Sequence, residues 1–302
     1  IINFEGFVFG TTYHITLQTD LEFDYQKSID SLFYLVNKST STYIPTSDIS
    51  KINSGDSTII VDEIFREVFE KSKEIFKETD GYFDPTVGNL VNAWGFGPKE
   101  AKKEIAVEEV KKMMQFVGLD KVQLKEGKIK KKFKETFLDF NSIAKGFGID
   151  VVGRFLESKN ISNYLVEIGG EIRAKGKNKE GRFWKVAIEK PNTDGTQSFQ
   201  SAVQLKNESM ATSGNYRKFR ITKGGKKYVH TVNPKTGFAR ESNLLSASVI
   251  TTLDCANADA YATAFMAMGL QKTKAFLKQN NKVKVVLTFL DEENTIQEYR
   301  NF

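Results

Sequence analysis

Apolar and polar residues alternate between residues 6 and 18, with Phe7, Phe9, Ile15 and Leu17 carrying the apolar phase, and this two-residue period predicts strands. The period then lengthens. From about Phe23 to Asn37, Tyr25, Ile29, Leu32, Phe33 and Val36 recur at helical spacing. A Ser/Thr-rich loop from Ser39 to Ser47 leads to a helix start at Ser47 or Asp48. A second stripe, Ile64, Phe65, Val68, Phe69, Ile75 and Phe76, predicts a helix over 62–78 that stops at Asp80-Gly81. Its aromatics read as core.

Helices are also predicted at 107–116 and 143–158, flanking a hairpin at 121–140, with a strand at 164–168 after them. The stretch 184–248 reads mostly as strands and turns. The last third reads as helices at 254–268 and 273–279 and strands at 283–289 and 295–299. Helices and strands intersperse without regular βαβ alternation, so the predicted class is α+β. No repeat, low-complexity stretch or Pro-rich linker marks a boundary. Residues 1–302 therefore read as one domain of two interlocked lobes, with mixed or antiparallel sheets and flanking helices.

Composition changes this picture little. The 302 residues suffice for a sizeable core, and 40% hydrophobic with 27% charged residues is ordinary for a soluble globular chain. No run of about 18 apolar residues is present. The chain opens Ile1-Ile2-Asn3 rather than with Met, which fits removal of a signal or lipoprotein leader. One cysteine, Cys255, excludes an internal disulfide and any Cys-rich zinc or iron–sulfur site. With only His14 and His230 available, a metal here is expected to be hard and oxygen-ligated. The net charge of +6 concentrates at Lys128-Ile129-Lys130-Lys131-Lys132-Phe133-Lys134. That stretch follows Glu126-Gly127 and reads as a hairpin strand with a solvated face; no nucleic-acid motif accompanies it.

Candidate chemistry lies in a few segments. In Asp254-Cys255-Ala256-Asn257-Ala258-Asp259-Ala260-Tyr261-Ala262-Thr263-Ala264, Asp259 and Thr263 are four apart and share a helix face. A carboxylate beside a hydroxyl suits Mg²⁺, and the alanines leave room for something bulky. An Ala-rich packed helix with Asp259 in a cap or buried hydrogen bond fits the same pattern. In Leu138-Asp139-Phe140-Asn141-Ser142-Ile143-Ala144-Lys145-Gly146-Phe147-Gly148-Ile149-Asp150, a helix start and Lys145 form a corner suited to phosphate, although this is not a P-loop.

Asp84-Pro85-Thr86-Val87-Gly88, with Leu90-Val91-Asn92-Ala93-Trp94-Gly95-Phe96-Gly97, reads as a loop rich in aromatic surface. Its rings either stack on a planar ligand or anchor the loop. Ala211-Thr212-Ser213-Gly214-Asn215-Tyr216 pairs with the turn from His230 to Gly237, where His230 is either an acid–base group or a turn-bonding histidine. Glu167 stands before Gly169-Gly170, glycines that permit close ligand approach or a tight turn.

In this order the segments resemble the ApbE family, the FAD:protein FMN transferases, over nearly the whole chain. The resemblance rests on Gly10-Thr11-Thr12-Tyr13, Ser41-Thr42-Tyr43 with Ser47-Asp48, and Asp84 to Gly88. It continues through Ile143-Ala144-Lys145-Gly146, Val166-Glu167-Ile168-Gly169-Gly170, Thr212-Ser213-Gly214, the His230 turn and the Asp259–Thr263 helix. It implies Mg²⁺-dependent transfer of FMN from FAD, the substrate, onto a Thr hydroxyl of an acceptor protein, with AMP released. It also implies a chain outside the cytoplasm, a cell-membrane lipoprotein touching the membrane only through a lipid anchor.

Residue by residue, the resemblance makes Asp139 and Lys145 FAD contacts, together with Phe9, Tyr43, Ala93, Trp94 and Gly95. His230 becomes the flavin-site histidine. Asp259 and Thr263 become side-chain ligands of the metal, with the Ser142 backbone carbonyl as a third. Phe9 departs from the family's Met-Gly-Thr stretch, and Asn233 stands where the family's turn has Asp. An FAD pyrophosphatase giving FMN and AMP, or a non-catalytic FAD-binding protein, would use the same residues.

Overall fold

The computed structural model describes residues 1–98, 105–190, 199–215, 219–221, 227–239 and 242–302; Tyr216 lies outside the described residues. The opening alternation folds as an antiparallel hairpin of β1 (Ile2–Val8) and β2 (Thr11–Leu17). Phe9 does not extend the strand as its place in the alternation predicts. It is the first of two turn residues, with φ of 50° at Phe9 and 77° at Gly10. This is the left-handed pair that matches a hairpin's twist. A bulky residue there is unusual. Its ring meets Phe33 edge-on, centroids 5.6 Å apart, and fills the space over Gly148, where a Cβ would lie 2.5 Å from it.

The helical stripes fold as their periods predict. α1 (Tyr25–Thr40) is capped by Asp24 and buries Tyr25, Ile29, Phe33 and Val36. Ser47 caps α2 (Asp48–Asn53), and Asp62 caps α3 (Glu63–Glu78), which buries Phe65, Val68, Phe69 and Ile75. The expected aromatic loop is instead in part a short helix, α4 (Gly88–Trp94), ended by Gly95 at φ 81°. α5 (Val107–Met114) packs with α4 and the 231–239 turn around Leu90, Trp94, Val110, Val232 and Ala239. The lysine-rich hairpin is β3 (Val122–Lys125) and β4 (Lys128–Lys131), with Ile129 inward and Lys130 outward.

α6 (Ala144–Ser158) leads into β5 (Tyr164–Ile168) and β6 (Glu171–Lys175). β7 (Trp184–Glu189), β8 (Phe199–Leu205), β9 (Ser209–Gly214), β10 (Phe219–Ile221), β11 (Lys227–Val229) and β12 (Leu244–Thr251) follow. The chain then forms α7 (Cys255–Met268), α8 (Leu270–Gln279), β13 (Lys284–Leu290) and β14 (Ile296–Arg300).

Among the described residues, eight strands form one sheet in the order β1-β2-β5-β6-β9-β12-β13-β14. Every neighbouring pair is antiparallel. The class is α+β, and this main sheet is not mixed. All eight residues of β12 are buried because both faces of the sheet are covered. Ala247 and Val249 face α7, while Ile250 joins the side chains of the β7–β8 hairpin on the other side. No helix among the described residues is long and apolar enough to cross a membrane.

Candidate active site

α6 packs on β5 and β6, and α7 lies beside it on β9 and β12 with a composition that explains how closely the two helices meet. Ala256, Ala258, Ala260, Ala262 and Ala264 are all fully buried. The alanines therefore admit neighbouring backbone rather than leaving room for a ligand. The closest approach is at Gly146, where a Cβ would lie 2.5 Å from the Cys255 carbonyl oxygen. Asp259, one turn into this helix, is almost completely buried, and its Oδ2 accepts the Gly146 N–H at 3.1 Å. First-turn N–H groups lack helical partners, so Asp259 caps α6 from another helix. The Ser142 carbonyl, four residues before Gly146, is not engaged by that N–H. Thr263 follows Asp259 by one turn, with its Oγ1 3.3 Å from the Ser213 Oγ.

Lys145 enters from the first turn of α6 and donates to Glu171 Oε2 at 2.6 Å. Burial opposes its positive charge, but the Glu171 and Asp259 carboxylates outweigh that and raise its pKa. Burial also lifts both acids, Asp259 above its ordinary value and Glu171 to about 7, with Lys145 opposing the rise in each. One ammonium thus sits between two buried carboxyl groups. Glu171 carries no motif of its own; its signal was its place directly after Gly169-Gly170. Those glycines form the β5–β6 turn, at φ 61° and 99°, and Glu167 Oε1 accepts the Gly170 N–H at 2.6 Å. Glu167 also pairs with His14 at 2.7 Å, so this feature is a braced turn.

The segment before α6 is held by a second corner. Asp84 Oδ1 accepts the Thr86 N–H and hydroxyl at 2.8 and 2.6 Å, and Thr86 Oγ1 accepts the Gly118 N–H at 2.7 Å. The Asp139 N–H donates to the Pro85 carbonyl at 2.7 Å, which ties this corner to the site. The Asp139 side chain accepts the Asn141 N–H at 2.8 Å, and burial raises its pKa to about 6. Asn141 Nδ2 donates to Thr42 Oγ1 at 3.1 Å, which brings the Ser41–Tyr43 segment alongside. The Tyr43 phenol is raised by burial and by the Asp139 charge.

Trp94 is buried, and its indole N–H donates to the Gly237 carbonyl at 2.9 Å; its ring meets Phe238, centroids 6.1 Å apart. Ala93 and Gly95 are carried with it at the end of α4. Trp94 is thereby an anchor for the turn that follows His230. That turn closes through the Val229 N–H to the Ala239 carbonyl at 3.0 Å, leaving His230 half-buried at its mouth. Asn233 Nδ2 donates to the Ala267 carbonyl near the end of α7 at 3.1 Å. The position thus works as a bracing amide.

These bonds join three groups of expected site residues. At the α6–α7 junction Asp259 reaches the first turn of α6 and the Lys145 charge, Thr263 stands one turn beyond it on α7, and Ser142 lies just before α6. The Asp139 charge acts on the Tyr43 phenol, and Trp94, between Ala93 and Gly95, binds the turn that follows His230. Among the described residues, no group of three or more His, Cys, Asp or Glu side chains is arranged to hold a metal ion. One carboxylate, one hydroxyl and a backbone carbonyl make an all-oxygen set, the kind of set that suits a hard ion keeping several waters.

The model of the ApbE family matches residues 9–287 of the chain. The FAD:protein FMN transferase of Haemophilus influenzae is 37% identical over 93% of this chain and 84% of its own length. Among solved structures, the flavin transferase ApbE from Vibrio cholerae superposes with a TM-score of 0.88 at 33% identity, covering 99% of this chain and 96% of that one. The apo flavinyl transferase ApbE of Pseudomonas stutzeri gives 0.87 at 27% identity, covering 99% and 94%.

Proposed function

The chain belongs to the ApbE family of flavin transferases, and on that premise we propose that it moves FMN from FAD onto a Thr hydroxyl of an acceptor protein, with Mg²⁺ bound and AMP as the product that leaves. The observation that carries this reading is the α6–α7 junction, where Asp259 and Thr263 stand one turn apart on α7 and Asp259 meets the first turn of α6 and the Lys145 charge.

Asp259, Thr263 and the Ser142 carbonyl would hold Mg²⁺, whose charge, when bound, polarises the phosphorus on the FMN side and eases departure of AMP. Lys145 adds a fixed positive charge for the diphosphate, held in place by Glu171. Asp139 and Tyr43 would contact FAD at one side of the junction, and Phe9 would shape the flavin site from the β1–β2 turn. Ala93, Trp94 and Gly95 would do so beside the His230 turn. The acceptor Thr oxygen attacks phosphorus, a new P–O bond forms, and the bond to the AMP phosphate breaks. His230 takes the hydroxyl proton as the attack proceeds.

We place the chain outside the cytoplasm, tethered to the cell membrane by a lipid anchor; the support is the family resemblance alone. Fractionation of the full-length gene product after labelling with a radioactive fatty acid tests this. Incubation with FAD and Mg²⁺, with and without an acceptor protein, tests the reaction. Transfer predicts AMP release that depends on the acceptor. Free FMN and AMP in its absence would make the chain a pyrophosphatase, and tight FAD binding without AMP would make it a carrier.

A further inference from the structure

α6 and α7 are joined by two carboxylate clasps of opposite sense. From α7, Asp259 accepts the Gly146 N–H in the first turn of α6. From α6, Asp150 accepts the first two N–H groups of α7, Cys255 at 2.9 Å on Oδ1 and Ala256 at 2.8 Å on Oδ2. Gly146 and Asp150 are one turn apart on α6, and Cys255 and Asp259 are one turn apart on α7. The residue at α7's own cap position, Asp254, makes no capping bond with its side chain. Its carboxylate turns to Lys71 at 2.8 Å and Arg173 at 3.1 Å. Asp150 has no exposed surface, and Arg173 of β6 holds its Oδ1 at 2.7 Å. Arg173 also donates to Tyr164 at 3.1 Å and Glu157 at 3.1 Å, so the clasp is moored to the sheet and to the far end of α6.

Tyr261, Phe265 and Met266 anchor the later turns of α7 in the core, but its first turn meets α6 only through small groups, Cys255 and Ala256 against Gly146. That surface lacks the large side chains that lock ridges into grooves. Directional bonds to two successive N–H groups do what that surface cannot. We propose that Asp150 is a positioning residue for the cation site: by gripping the N-terminus of α7 it sets Asp259 and Thr263 against the Ser142 carbonyl and Lys145. The proposal deepens the transferase reading and rests on it for the identity of the cation.

The test compares the full chain with its Asp150→Asn variant, using FAD, Mg²⁺ and a Thr-bearing acceptor protein. Three quantities are read: the Mg²⁺ concentration for half-maximal transfer, kcat at saturating Mg²⁺, and amide exchange of residues 254–263 without Mg²⁺. The variant is expected to need roughly tenfold more Mg²⁺, as for other groups that orient a metal's ligands. Its kcat at saturation should stay within about threefold of the parent, a split that general destabilisation would not give. Cys255 and Ala256 amides should exchange faster while the β12 amides do not. An unchanged Mg²⁺ requirement in a folded variant overturns the proposal, as does unchanged exchange at Cys255 and Ala256. If Asp150→Asn does not fold, Arg173→Lys takes its place: it loosens the mooring and leaves Asp150 intact, and the Mg²⁺ requirement should again rise. An unchanged requirement there also overturns the proposal. If the parent chain itself transfers no flavin, the transferase reading fails, while the exchange comparison still decides whether Asp150 grips α7.

Discussion

A Cβ on Gly146 would stand 2.5 Å from the Cys255 carbonyl oxygen and 2.8 Å from the Ala256 Cα. Both neighbours are backbone, so no side chain can swing aside. Gly146→Ala should therefore push α6 from α7 and stretch the Gly146–Asp259 bond. The better helix propensity of Ala recovers up to about 1 kcal/mol, while overpacking at such a contact costs about 1–3 kcal/mol. Urea unfolding should show a net loss of stability. A variant as stable as the parent would mean that the helices have slack at this crossing.

Asp259→Asn keeps the size of the side chain and an oxygen for the Gly146 N–H but removes the charge. The protein should stay folded by circular dichroism, and Mg²⁺-dependent turnover should fall by at least ~100-fold, the scale seen when one electrostatic stabiliser is lost. Retained turnover would sink the assignment of Asp259 to the metal.

Burial raises the Glu171 pKa to about 7, against Lys145, from 4.5 for an ordinary glutamate. Between those values the folded chain binds more protons than the unfolded one, so this group's stabilisation is full below pH 4.5 and fades as pH rises through 7. Without Mg²⁺, raising the pH from about 5 to about 8 should cost the parent on the order of 2 kcal/mol more than Glu171→Gln. Equal pH dependence of unfolding in the two proteins would contradict the buried proton.

The features read from the sequence are those with a local period or cap. The stripes of α1 and α3, the Ser47 cap of α2 and the Glu126-Gly127 hairpin were all visible as spacing. α4 was not, because seven residues flanked by glycines have little helical preference of their own. Leu90 and Trp94 hold it against Val110 and Val232 instead. Phe9 takes a strand position in the alternation, which runs on through a turn that lacks the usual Asn-Gly or Asp-Gly pair.

At the site, the i, i+4 spacing of Asp259 and Thr263 was legible, as was the Lys145 corner. What their neighbours do was not. Asp150 and Glu171 are single acids within otherwise apolar surroundings, and their partners lie at distant points of the chain, Cys255 and Lys145. Such pairings depend on how α6 meets α7 and β6, which no local pattern encodes. The alanines of α7 were legible as small residues, but whether they face a ligand or a helix is decided only by packing.

His230 stands at the mouth of a turn anchored by Trp94 through the Gly237 carbonyl. If its imidazole takes the acceptor proton, His230→Ala should lower kcat by about 10²–10⁴-fold while FAD binding, followed by flavin fluorescence, stays within a few fold. Full activity with intact FAD binding would remove it from the mechanism.

The most direct test of the account is the intact mass of a Thr-bearing acceptor protein after incubation with this chain, FAD and Mg²⁺. The predicted result is an acceptor heavier by one phosphoester-linked FMN, with no gain when Mg²⁺ is chelated or when Asp259→Asn replaces the parent. An acceptor of unchanged mass beside accumulating free FMN, or a mass gain that survives both removal of Mg²⁺ and loss of the Asp259 charge, would contradict it.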